Sequence, residues 1–209
     1  MKVESFSIGS KHYNNEDRLV VQDMGKFGIA AVLADGMGGL SLGDLAAEVI
    51  TKSLANYIIT NYQGCNERNV LLNALEYADK ELRSVSIANK SNMGAAVAVV
   101  IVHDYHLYCM WQGNVRVYIQ QNDKMNLVTE DHLADIGYGH TALTRCIKGA
   151  GLRDDVPFIS CKFSNGDAIF ICSDGFYNVA ESQMADISID EMKKQIGLPE
   201  DDTSLIKIS

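Results

Sequence analysis

Strand-like runs come first in this sequence, two adjacent helical stripes follow, and strands return at hairpin spacing; that order does most to limit the fold. Phe27–Ala34 (FGIAAVLA) and Ala95–Val102 (AAVAVVIV) are near-continuous apolar runs of strand length. His106–Trp111, Val115–Gln120, Phe158–Phe163, Ala168–Cys172 and Ser204–Ile208 are short, rich in β-branched and aromatic residues, and bounded by Gly, Asn or Asp. Between the first two runs, apolar side chains recur with a helical period over Leu42–Tyr62 and again over Glu67–Val85, where Asn66 stands in the N-cap position. A shorter helix is predicted over Ile189–Ile196, with Ser188 and Glu191 as a capping box, Gly197 at its stop and Pro199 beyond. Strand and helix do not alternate, so a doubly wound parallel sheet is disfavoured. An α+β fold with helices packed on antiparallel sheet is expected.

The 209 residues are 47% hydrophobic and contain no repeat, low-complexity stretch or Pro-rich linker, so one domain over residues 1–209 is expected. No window is apolar enough to span a bilayer, and Met1–Ser10 lacks a signal-peptide pattern, so the expected location is the cytoplasm, away from membranes. A net charge of −9 argues against nucleic-acid binding and suits a divalent cation or a basic partner. The five cysteines include no Cys-x-x-Cys pair and read as reduced, mostly buried thiols.

Acidic residues at strand ends carry the chemistry. Asp35-Gly36 closes the first apolar run and Asp174-Gly175 a later one; Glu16-Asp17 precedes the strand-like Leu19–Gln22, and Asp201-Asp202 precedes the last strand. Each Asp-Gly pair by itself reads as a turn. Carboxylates gathered at strand ends repel one another unless a cation sits between them, and hard divalent ions prefer oxygen ligands. Spacing alone does not show that these segments meet.

Eight motifs in order then carry a resemblance. Asn15-Glu16-Asp17, Asp35-Gly36-Met37-Gly38-Gly39, Gly94-Ala95-Ala96, Gly113-Asn114-Val115-Arg116-Val117-Tyr118, Thr129-Glu130-Asp131-His132, Leu143-Thr144-Arg145 with Gly149, Ser173-Asp174-Gly175 and Asp201-Asp202-Thr203-Ser204 run along nearly the whole chain. Together they resemble the metal-dependent protein serine/threonine phosphatases of the type 2C, or PPM, family in a compact bacterial-like form. The resemblance implies an α-β-β-α sandwich: two antiparallel sheets face to face, flanked by helices. It also implies hydrolysis of phosphoserine and phosphothreonine in proteins by a metal-activated water, with two Mn²⁺ or Mg²⁺ ions. Asp35 would bridge the ions, Glu16 and the Gly36 carbonyl would serve one, and Asp174 and Asp201 the other. Asp17 would orient metal-bound water. Phosphoprotein substrates, a serine/threonine kinase or its targets as partners, and a monomer are the accompanying expectations.

The sequence departs from the family pattern in four places. His12, beside Lys11, stands where a phosphate-binding Arg is usual, so these two are the candidates for substrate phosphate. Asn114 replaces an Asp that helps to hold a third metal, so that site is expected to be weak or absent. Only Leu133–His140 separate Thr129-Glu130-Asp131-His132 from Thr141, so the flap reads as nearly deleted and the site as open. The stretch from Asp174 to Asp201 has room for about one helix. The alternative from another class is a degenerate pseudophosphatase that binds a phosphoprotein or regulator without turnover; a phosphatase of small phosphorylated molecules is a third reading. Arg116 and Arg145 read as structural ion-pair partners, and Trp111, Tyr118 and Tyr108 as core or sheet-face aromatics.

Overall fold

The computed structural model describes residues 1–37, 42–122, 124–153, 155–184 and 188–209. Strands β1 (Val3–Ile8), β2 (Asp17–Asp23) and β3 (Ile29–Gly36) lead into helices α1 (Gly43–Asn61) and α2 (Glu67–Asn89). Strands β4 (Ala95–His103), β5 (His106–Gln112), β6 (Arg116–Gln121), β7 (Lys124–Leu127), β8 (Leu133–Gly137), β9 (His140–Leu143), β10 (Phe158–Lys162) and β11 (Ala168–Cys172) follow. Helices α3 (Asp174–Ala180) and α4 (Ile189–Ile196) and strand β12 (Thr203–Ile208) close the chain.

Two five-stranded antiparallel sheets result, ordered β1-β12-β11-β6-β7 and β10-β5-β4-β3-β2. They pack face to face. Ile29, Ala31 and Leu33 of β3, with Ala98 and Val100 of β4, meet Val117, Ile169 and Ile206 of the other sheet. The alternate residues Ala30, Val32 and Ala34 point the other way, onto Ile50 and Leu54 of α1 and Leu71 and Leu75 of α2. Being covered on both faces is why Phe27–Ala34 and Ala95–Val102 carry no polar alternation. A third cluster seals the outer face of the first sheet, where Phe170 and Leu205 pack against Phe176 of α3 and Met192 of α4. This is the expected α-β-β-α sandwich.

Several local expectations need correction. Phe27 ends a short 3-10 turn, and the strand starts at Ile29 after Gly28, whose φ is 85°. Asn66 holds the N-cap position of α2 without a side-chain cap, because its backbone is left-handed (φ 60°) and not extended as an Asn cap requires. The α4 boundaries and its capping box are as predicted. The stretch from Asp174 to Asp201 holds two helices, α3 and α4, because α3 begins at the motif residue Asp174 itself. The trimmed flap is a two-stranded hairpin, β8–β9, separate from both sheets.

Candidate active site

Strand pairing brings the acidic segments together. Asp17 lies directly opposite Asp35 in the β2–β3 ladder. On the other sheet, Cys172 opposite Leu205 sets Ser173-Asp174 beside the Asp201–Ser204 segment, and Ser173 N–H donates to the Ser204 carbonyl at 3.2 Å. Both pairs of ends open at the same rim of the sandwich. Glu16, Asp35, Gly36, Asp174 and Asp201 all line one cavity of about 960 Å³ there.

The two Asp-Gly pairs do not work as the turns the sequence suggests. Gly36 is the last residue of β3 and Gly175 lies in α3. Each allows a close approach: a Cβ on Gly36 would sit 2.5 Å from the Gly43 carbonyl oxygen and 2.9 Å from Glu16 Cβ, and one on Gly175 would sit 2.2 Å from the Asp202 carbonyl oxygen. Only glycine lets the neighbouring acidic segments come this near. Gly38 and Gly39 of the second motif lie outside the described residues.

Two residues absent from the expected ligand set hold the segments in place. Asp202 accepts from Ser10 N–H at 2.7 Å and from Glu16 N–H at 2.6 Å, tying the loop before β2 to the loop before β12. Ser173 is fully buried; its hydroxyl donates to Asp17 Oδ2 at 2.7 Å and accepts from Ser204 N–H at 3.0 Å. Both stand in motifs the sequence marks, but this tying role is not legible there, because their partners are far away along the chain.

The electrostatics are those of a cation site. Burial pushes the Asp17 carboxyl up to about 8, with the Ser173 hydrogen bond acting against it. Burial also raises Asp35 well above the ordinary carboxylate range, and the charges of Asp17, Asp174 and Asp201 add to it. Glu16 and Asp201 are raised too, first by burial and then by neighbouring aspartates. Asp17 Oδ1 is buried without a hydrogen-bond partner among the described residues. A cluster this unfavourable to its own charge wants positive charge. Its all-oxygen donor set fits a hard divalent cation. Among the described residues, no three acidic, His or Cys side chains already form a closed coordination group.

Asn114 Nδ2 donates to Asp174 Oδ2 at 3.0 Å, so the amide supports a carboxylate where an Asp would repel it. Lys11 and His12 do not line the cavity; both engage Glu200, His12 Nε2 at 3.0 Å. Leu133, Thr141, Ala142 and Leu143 of the β8–β9 hairpin wall one side of the cavity, so the site is less open than a deleted flap implies. Arg116 holds Asp131 through Nε at 3.1 Å and Nη2 at 2.9 Å and lies 3.8 Å over the Tyr177 ring, the structural ion pair expected. Arg145 instead donates to the Asp155 carbonyl at 3.1 Å.

Residues 8–205 match the family described as Protein phosphatase 2C. The chain belongs to that family. It is 25% identical over 204 residues to the "Serine/threonine phosphatase stp" of Listeria innocua serovar 6a, covering 85% of this chain and 78% of that protein. Its fold is similar to the Mycobacterium tuberculosis serine/threonine phosphatase PstP/Ppp, with a TM-score of 0.82 at 17% identity over 99% of this chain and 97% of that one. It is also similar to the catalytic domain of the phosphatase PstP in complex with two manganese ions: TM-score 0.79 and 19% identity over 99% and 96% of the two chains. Protein phosphatase 2C membership accounts for the sandwich. No helix among the described residues is long and apolar enough to cross a membrane.

Proposed function

We propose that this chain, acting as one catalytic domain, hydrolyses phosphoserine and phosphothreonine in proteins with two Mn²⁺ or Mg²⁺ ions. The observation that carries the reading is the gathering of Glu16, Asp35, Asp174 and Asp201 in one cavity. When bound, divalent ions supply the charge that lowers the pKa of water and offsets the charge of a transferring phosphoryl group.

The residues divide the work. Asp35, which feels the charges of both Asp17 and Asp174, would help to hold both ions. Glu16 and the Gly36 carbonyl would serve one ion, Asp174 and Asp201 the other. Asp17, whose Oδ1 has no hydrogen-bond partner among the described residues, would orient the attacking water. Asn114 offers a neutral amide already committed to Asp174, which supports a weak or absent third site. Lys11 and His12 at the rim meet substrate phosphate only by exchanging Glu200 for it. The substrates are products of serine/threonine kinases, and the working form is a monomer.

The test is phosphate release from phosphoseryl, phosphothreonyl and phosphotyrosyl peptides, with Mn²⁺ and with EDTA. Mn²⁺-dependent release from the first two supports the reading. Release from none of them, with phosphopeptide binding retained, would establish a binding module instead.

A further inference from the structure

A second cavity, of about 350 Å³, adjoins the carboxylate-lined one and shares Leu143 with it. Its character is opposite. Arg145, Lys148 and Arg153 line it; among the described residues no acidic side chain does, and none of the three makes an ion pair with an acidic group. In a chain of net charge −9 such a concentration of cations with no acidic partner among the described residues is conspicuous. At its wall stands Gln112, the last residue of β5. Gln112 is 2% exposed, and its Nε2 amide is buried with no hydrogen-bond partner among the described residues. A buried N–H donor left unpaired is costly, so this one points to a missing acceptor.

The segment that carries the cations is held firmly. Ile147 and Ala95 exchange two backbone hydrogen bonds at 3.0 Å each. Asp79, buried on α2, accepts from Gly149 N–H at 2.8 Å and from Gly151 N–H at 2.7 Å, spending both carboxylate oxygens on that loop. A Cβ on Gly149 would lie 2.7 Å from Arg83 Cα, so the loop seats directly on the helix. Lys148 and Arg153 also face Cys146, whose thiol is raised by burial while both cations pull it down.

From this geometry we infer that the Gln112–Arg145–Lys148–Arg153 cavity is a second anion subsite, which takes the oxyanion of a substrate residue flanking the scissile phosphoserine or phosphothreonine, a second phosphoryl group above all. The inference deepens the phosphatase reading and rests on it. Guanidinium, ammonium and amide N–H groups together match the acceptor-only oxygens of phosphate, and a dianion gains more from them than a carboxylate.

Two measurements separate the subsite from the reading beneath it. The first needs no turnover. Inorganic phosphate is titrated into ¹⁵N-labelled protein in EDTA, following the Gln112 side-chain NH₂ resonances. The protein is compared with a Lys148→Glu/Arg153→Glu variant and with the milder Arg153→Ala. Saturable shifts in the wild type, lost in the double variant and weakened in Arg153→Ala, are expected; no shift in the folded wild type overturns the subsite. The second compares KM for phosphoserine peptides whose neighbouring residue is phosphoserine, Glu or Ala. The expected KM is about tenfold lower for the doubly phosphorylated peptide than for the Ala peptide. The Glu peptide should fall between, kcat should be similar for all three, and the preference should vanish in the double variant. A preference that survives charge reversal, or equal KM values in the wild type, overturns the proposal. Para-nitrophenyl phosphate has no flanking group, so its turnover reports the phosphatase reading alone. Phosphate binding at Gln112 without any turnover would sink that reading and leave the anion site standing.

Discussion

Replacing Ser173 by Ala removes one hydroxyl from the centre of the rim, and its cost can be worked out bond by bond. The side chain is fully buried, donates to Asp17 Oδ2 at 2.7 Å and accepts from Ser204 N–H at 3.0 Å. Without it, the Ser204 amide is left unpaired at about 1–3 kcal/mol, and the bond to a protonated Asp17 adds about 1 kcal/mol. Asp17 has its pKa pushed up to about 8, so at pH 6 it is mostly protonated and the total is roughly 2–4 kcal/mol. At pH 9 the lost bond is to a carboxylate, which is about 1 kcal/mol stronger. For a chain of this length 1 kcal/mol moves the melting temperature by about 2–4 °C, so metal-free protein should lose about 8 °C at pH 6 and about 3 °C more at pH 9. Differential scanning calorimetry in EDTA reads both values. A loss below about 1 kcal/mol at both pH values, or one that does not grow with pH, would refute the account of how Asp17 is held.

Other outcomes follow from the same structure. Asp17 and Asp35 have raised pKa values in the folded chain, so the stability they lend is complete below about pH 4 and is lost as pH rises through the folded value, about 8 for Asp17. The melting temperature of metal-free protein should therefore fall over that range, and Mn²⁺ should recover more of it at pH 8 than at pH 5; a flat or rising profile contradicts the assignment. Asn114→Asp exchanges the amide 3.0 Å from Asp174 Oδ2 for a like charge. Metal-free protein should melt several degrees lower at pH 8 and calorimetric titration should detect tighter Mn²⁺ binding, whereas unchanged binding would count against the role given to the amide. Asp79→Ala deletes the acceptor of two loop amides and should cost about 3 kcal/mol, with faster hydrogen exchange at Gly149 and Gly151. Leu54→Ala, in the fully buried layer between α1 and the sheet, should cost about 2–5 kcal/mol by denaturant unfolding; a loss under 1 kcal/mol would mean the layer repacks freely.

The sandwich was legible because its central strands and long helices advertise themselves: Phe27–Ala34 and Ala95–Val102 are apolar on both faces, and the stripe on α1 recurs with a helical period. The motif order placed the acidic segments, but their convergence is a matter of pairing. That Asp17 faces Asp35 across a ladder, and that Ser173 lies beside Ser204, depends on register, which local pattern does not reveal. The β8–β9 hairpin was missed because its residues are mostly exposed and show neither apolar alternation nor a buried run. Helix α3 was missed because Asp174-Gly175 reads locally as a turn, and only the packed Asp202 backbone explains the glycine. Glu200, which takes up Lys11 and His12, lies 188 residues from His12 and was invisible in the sequence.

The central claim, that the carboxylates at this rim hold the ions that drive phosphoester hydrolysis, is tested most directly with para-nitrophenyl phosphate. Turnover is followed during a Mn²⁺ titration of EDTA-stripped protein, with Asp35→Asn alongside and its fold checked by circular dichroism. The account predicts no turnover without metal, saturable activation by Mn²⁺, and loss of that activity in the folded variant. Turnover that persists in EDTA, or that survives in Asp35→Asn, would contradict it.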